Sequence, residues 1–65
     1  MAWTWRYEDA EGAPVVGPVE VFGNQSDAES WLGQTWRELA EAGVAKVVLV
    51  EGDRVEYDMS LLPPD

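Results

Sequence analysis

A chain of 65 residues with neither cysteine nor histidine has to fold without a disulfide and without a Cys/His zinc site. A domain of this length buries only about 60% of the surface its unfolded chain exposes, so it is marginal unless something reinforces it. Two reinforcements remain, large aromatic side chains or a second chain. The sequence is well supplied with the first. Trp3, Trp5, Trp31 and Trp36, with Tyr7, Tyr57 and Phe22, can each bury on the order of 150–250 Å². One domain over residues 1–65 is expected, with 59–65 as a C-terminal tail.

Thirteen carboxylates against four basic side chains leave a net charge of −9. Nucleic-acid affinity comes largely from neutralising phosphates with Lys and Arg, so direct binding to DNA or RNA is disfavoured. Anionic membrane surfaces are disfavoured for the same reason. Solubility is the ordinary use of such a charge, and a basic partner is the sharper one. Disorder does not fit, because disordered acidic chains are poor in aromatic and β-branched residues. The start, Met1-Ala2-Trp3-Thr4-Trp5-Arg6, lacks the basic and then apolar regions of a signal peptide. No apolar run reaches the length of a membrane span. The expectation is a cytoplasmic protein.

Residues 3–8 alternate bulky apolar and polar side chains, which puts Trp3, Trp5 and Tyr7 on one face of a strand. A turn-rich loop comes next, around Gly12. Residues 15–22 read as a second strand, interrupted by Gly17-Pro18 and so at an edge or a bulge. Val19 and Val21 would face one side, Glu20 and Phe22 the other. Ser26-Asp27-Ala28-Glu29 has the S-x-x-E form of a capping box. It predicts a helix over residues 27–42, with Ala28, Leu32, Thr35, Leu39 and Ala42 inward and Trp31 and Trp36 at the borders of that stripe. Gly43 is the expected left-handed stop, with Val44 folding back. Lys46-Val47-Val48-Leu49-Val50-Glu51 is a well-buried strand. Gly52-Asp53 is a type II′ turn signal, and residues 54–58 return as its partner. The fold class is α+β: a ββαββ chain, two hairpins in a small antiparallel sheet with one amphipathic helix on one face.

One helix covers one face only. A two-residue turn at Gly52-Asp53 pairs Val50 with Val55 and Val48 with Tyr57. Those four then point inward, and Val47 and Leu49 point out beside Arg54, Glu56 and Asp58. A one-residue slip exchanges the two sets. Phe22 joins the outer set if Val19 and Val21 are core. Arg6, Lys46 and Arg54 would rim it. An aliphatic centre with a charged rim suits a protein contact, and a homodimer through this face is its simplest form. The outer helix face, with Glu29, Gly33, Arg37 and Glu41, is the second candidate. Gly33 costs about 1 kcal/mol relative to alanine in a helix, and on an exposed face it permits close approach of a partner backbone.

Candidate chemistry is thin. Acid–base work would fall to Asp, Glu, Lys or Tyr alone. The clusters Glu8, Asp9, Glu11 and Glu51, Asp53, Glu56, Asp58 read as solvated turns. Asp9-Ala10-Glu11-Gly12 lacks the spacing and the terminal bidentate glutamate of a calcium loop. Ser26, Ser30 and Ser60 have no histidine to activate them. The tryptophans could stack a carbohydrate, but their placement favours core. No catalytic residue, metal site or cofactor is expected, and the chain does not read as an enzyme.

Trp3-Thr4-Trp5-Arg6-Tyr7, Ser26-Asp27-Ala28-Glu29-Ser30-Trp31-Leu32-Gly33, Trp36-Arg37-Glu38-Leu39, Gly43-Val44 and Met59-Ser60-Leu61 together resemble small acidic proteins of high-GC actinobacteria. That resemblance spans nearly the whole chain and implies no activity and no site. The functional expectation is a small acidic protein-interaction module, binding a second copy of itself or a basic protein. The alternative is an inhibitor that imitates nucleic acid and occupies a basic protein's DNA or RNA site.

Overall fold

The structure, a computed structural model, describes residues 2–61. In chain order its elements are β1 (Trp3–Glu8), α1 (Gln25–Glu41), β2 (Lys46–Glu51) and β3 (Arg54–Ser60). The strands form one antiparallel sheet in the order β1-β2-β3, so β2, the most aliphatic, is central. The core lies between the sheet and α1: Trp5, Tyr7, Val47 and Leu49 from the sheet meet Ala28, Leu32 and Leu39 from the helix, with Val44 beside them. The α+β class and the single helix on one face are as expected.

Among the described residues the expected fourth strand is absent. Residues 14–22 run beside β1 as a strap whose backbone pairs with it only at the ends, through isolated bridges of Trp3 with Phe22 and Glu8 with Pro14. The chain takes five steps from Trp3 to Glu8 but eight from Pro14 to Phe22, so three surplus residues bow away from the ladder. Pro14 and Pro18 have no N–H to give a ladder in any case.

The first turn of α1 is capped two residues earlier than the S-x-x-E pattern predicts. Asn24 is extended (φ −156°, ψ 168°) and its Oδ1 accepts the Asp27 N–H at 2.8 Å. Its Nδ2 donates to Asp27 Oδ2 at 3.3 Å, so the reciprocal pair is Asn24 and Asp27, and Ser26 and Glu29 stand inside the helix. The C-terminus is as expected. Gly43 is left-handed (φ 99°), its N–H donates to the Ala40 carbonyl, and the Val44 N–H reaches back to Leu39, a Schellman closure that buries Val44. Ala42, expected inside, is the exposed C-cap residue.

Met59 and Ser60, expected in the tail, extend β3. Leu61 donates its N–H to the Ala45 carbonyl at 2.8 Å and packs on the core. The expectation for residues 62–65 lies outside the described residues. Two alanine substitutions separate the caps. Asn24→Ala is expected to lower stability by about 1 kcal/mol, and Ser26→Ala by less than about 0.5 kcal/mol. Urea denaturation followed by far-ultraviolet circular dichroism reads both.

Candidate functional site

The sheet face opposite α1 differs from its expected form because of one inserted residue. The Gly52-Asp53 turn sets Glu51 opposite Arg54 and Val50 opposite Val55, and Gly52 has the positive φ (63°) that a type II′ turn needs at its first position. Beyond Val55 the register shifts: Glu56 is a bulge, and Tyr57 faces Leu49 rather than Val48. An extra residue in one strand exchanges the faces of all the pairs beyond it. Val47 and Leu49 therefore point to the helix, both 0% exposed, and do not line the open face. Phe22 is not there either. It packs beside the core against Trp31, with ring centroids 5.6 Å apart.

Val48 and Val50 take the outward places, yet both are buried. Val48 stands between Arg6 and Asp58 across the sheet, and Val50 between Thr4 and Val55, so neighbouring side chains cover the short valines. Lys46 Nζ ties the two edge strands together over this face, 3.7 Å from Glu8 and 3.8 Å from Asp58. Arg6 is exposed beside Val48, and Arg54 Nε pairs with Glu56 Oε1 at 3.4 Å. The open face is a charged lattice over two covered valines, with Val55 beside Val50 left 53% exposed.

On the helix, Gly33, Arg37 and Glu41 are exposed as expected, and a Cβ at Gly33 would meet no atom of the chain within 4 Å. The Arg37 guanidinium lies 5.4 Å from the Trp36 ring, which is partly exposed rather than core. Glu29 ties α1 to β3: its Oε2 accepts the Tyr57 hydroxyl at 2.5 Å and Gln25 Nε2 at 3.0 Å. These bonds lower the Glu29 pKa, the one from Tyr57 most. Burial, followed by the hydrogen bond to Glu29 and its charge, pushes the Tyr57 hydroxyl up to about 12.

The three most exposed large apolar side chains sit on the strap, at positions read from sequence as strand; Val55, Trp36 and Met59 are exposed to a lesser degree. Val16 is 99% exposed, Val19 90% and Val21 65%. The strap is held off β1 by Tyr7, whose hydroxyl donates to the Pro18 carbonyl at 2.6 Å. Gly17 lies flat on the Tyr7 ring, where a Cβ would come within 2.6 Å of a ring carbon. Burial, and secondarily the Glu20 carboxylate, raises the pKa of that hydroxyl. Between strap and strand lies an open hollow of about 500 Å³, walled by Thr4 to Glu8 on one side and Pro14 to Glu20 on the other. The signal for it in the sequence is Pro14-x-x-Gly17-Pro18, which strips donors from the segment and kinks it.

Of the first-loop acids, Asp9 is structural: its Oδ1 accepts the N–H groups of Glu11 and Ala13, each at 2.9 Å. Among the described residues no group of three or more acidic side chains is placed to hold a metal ion, and no helix is long and apolar enough to cross a membrane. No protein-family model, curated protein or solved structure matches the chain.

Because folding raises the Tyr57 pKa from 10.0 to about 12, it stabilises the neutral phenol. That stability is complete below pH 10 and is lost as pH rises through 12. Glu29 acts oppositely, its contribution being present above its ordinary value of 4.5 and lost as pH falls through the lowered one. The urea midpoint is expected to fall between pH 10 and pH 12 more steeply in the wild type than in Tyr57→Phe, with Tyr7 common to both.

Proposed function

We propose that this chain is a non-enzymatic interaction module that binds a basic protein through the strap side of β1. The carrying observation is the exposure of Val16, Val19 and Val21 on one extended segment of a strongly acidic surface. Single exposed apolar residues are ordinary, but a neighbouring set on a segment with little hydrogen bonding of its own is a contact surface in waiting. Charge argues for the kind of partner. A net charge of −9 repels a second copy and attracts a cationic protein. The homodimer through the open sheet face has less to support it, because Val47 and Leu49 are in the core and Val48 and Val50 are covered by neighbours, which leaves Val55 as the exposed aliphatic side chain there.

Substituting Val16, Val19 and Val21 by serine is expected to leave the urea midpoint nearly unchanged, since surface changes of this kind stay within about 0.5 kcal/mol. Affinity capture from native cytosol should recover one or a few basic proteins with the wild type. The triple variant should recover them at least tenfold less, and rising salt should weaken capture. Equal recovery by both forms, or loss of the variant's fold, would count against the strap as the contact.

A further inference from the structure

We propose that the outer edge of β1 between Trp3 and Tyr7 is a slot for an extended, cation-bearing segment of the partner, which adds to the sheet there as a short fourth strand. This rests on the reading of the chain as a module for basic proteins and specifies how the partner is held.

Backbone hydrogen bonding locates the slot. The carbonyls of Ala2 and Glu8 accept from Gly52 and Ala45, so the even-numbered residues of β1 turn their amides toward β2 and the odd-numbered ones turn outward. Trp3 uses both of its outward groups on Phe22, and the Tyr7 carbonyl takes the Val15 N–H. The N–H and C=O of Trp5 and the N–H of Tyr7 have no backbone partner among the described residues. Three consecutive ladder groups are thus left on an edge closed at both ends, and an extended peptide is the ligand whose backbone matches them.

The gap is held open rather than collapsed. Three surplus strap residues cannot re-enter the ladder while both end bridges stand. The Tyr7 hydroxyl holds Pro18 by its carbonyl, and the glycine contact keeps the strap seated on the Tyr7 ring. The hollow of about 500 Å³ is lined by Thr4 and Arg6 as well as Trp5 and Tyr7, side chains of both faces of β1, so it lies at the strand edge itself. At about 3.4 Å per residue, three ladder positions take an occupant roughly 10 Å long.

Side chains state its chemistry. Val16 and Val19 on the strap favour β-branched or aliphatic positions. Glu20 is exposed in the lining and makes no ion pair among the described residues, so it favours a cation beside it. Arg6 in the same lining disfavours an unbroken run of lysines. An alternating Lys/Val segment satisfies all of these.

The probe is a blocked seven-residue peptide alternating lysine and valine, with two analogues, one N-methylated at the valine amides and one at the lysine amides. In the free protein the Trp5 and Tyr7 amides should exchange hydrogen at least tenfold faster than those of Thr4 and Arg6. Binding the parent peptide should slow exchange at Trp5 and Tyr7 at least tenfold. A strand presents only one of its edges to a ladder, so one analogue should lose at least tenfold in affinity while the other retains it. Glu20→Gln should weaken binding several-fold with an unchanged urea midpoint. Protection of Trp5 and Tyr7 already in the free protein, equal binding of both analogues, or no binding of the parent would each overturn the slot. Binding that both analogues share and that protects no β1 amide would remove the slot and leave the strap-surface reading standing, because that reading is decided separately by the valine-to-serine capture.

Discussion

The indole of Trp5 is the piece on which the packing of this small domain turns. It is buried in the core, with its Nε1–H donating to the Ala28 carbonyl at 3.0 Å and its ring edge-on to Tyr57 at 6.2 Å. Tyr57 in turn donates to Glu29, so one aromatic contact carries the link from β1 to β3 and back to the first turns of α1. Burying a side chain of 150–250 Å² stabilises by about 4–6 kcal/mol, whereas the indole hydrogen bond adds about 1 kcal/mol. The area term decides the docking, and the hydrogen bond sets where along the helix it occurs. Ala28 is fully buried at the crossing point, and a larger residue there would lift the helix off the ring. In a chain with no disulfide, whose net stability is of order 5 kcal/mol, a contact of this size is a large share of what holds α1 to the sheet, beside the packing of Leu32 and Leu39 in the same core.

The elements legible in the sequence are those whose causes are local. The alternation of residues 3–8, the Gly43 stop and the glycine-first turn at Gly52 each act over a few residues, and each stands where it was read. The misplaced features have distant causes. Ser26 and Asn24 are both competent caps, and Asn24 holds the position two residues after Phe22 is pinned to Trp3, a contact across nineteen positions of chain. The Glu56 bulge changes which residues of β3 share a face with Val47 and Leu49, and nothing in Val55-Glu56-Tyr57 marks an unpaired residue. What selects it is the core: Leu49 is fixed under the helix opposite Trp5, and only the bulged register brings Tyr57 to the same side, where it meets the Trp5 ring.

The candidate surface was half legible for the same reason. Exposed Arg6, Glu29, Gly33, Arg37 and Glu41 come directly from periodicity. The strap does not, because its valines alternate as a strand would. Pro14 and Gly17-Pro18 mark it as a poor strand, but how far it is too long to pair shows only in the mismatch between its two anchor points, once both bridges are known.

The two sheet edges are guarded differently, and the difference bears on what can bind. β3 carries Arg54, Glu56 and Asp58 and a bulge, a combination that spoils the straight, neutral edge another strand needs. β1 is guarded by the strap, which leaves its middle uncovered. An open edge invites pairing between copies, and a net charge of −9 on each copy opposes it. The charge that keeps copies apart also biases the slot, since the strand best able to approach it is one that carries the opposite sign. On the proposed reading, the excess of carboxylates and the over-long strap are complementary: one filters by charge what reaches the edge, and the other limits how much of the edge it finds.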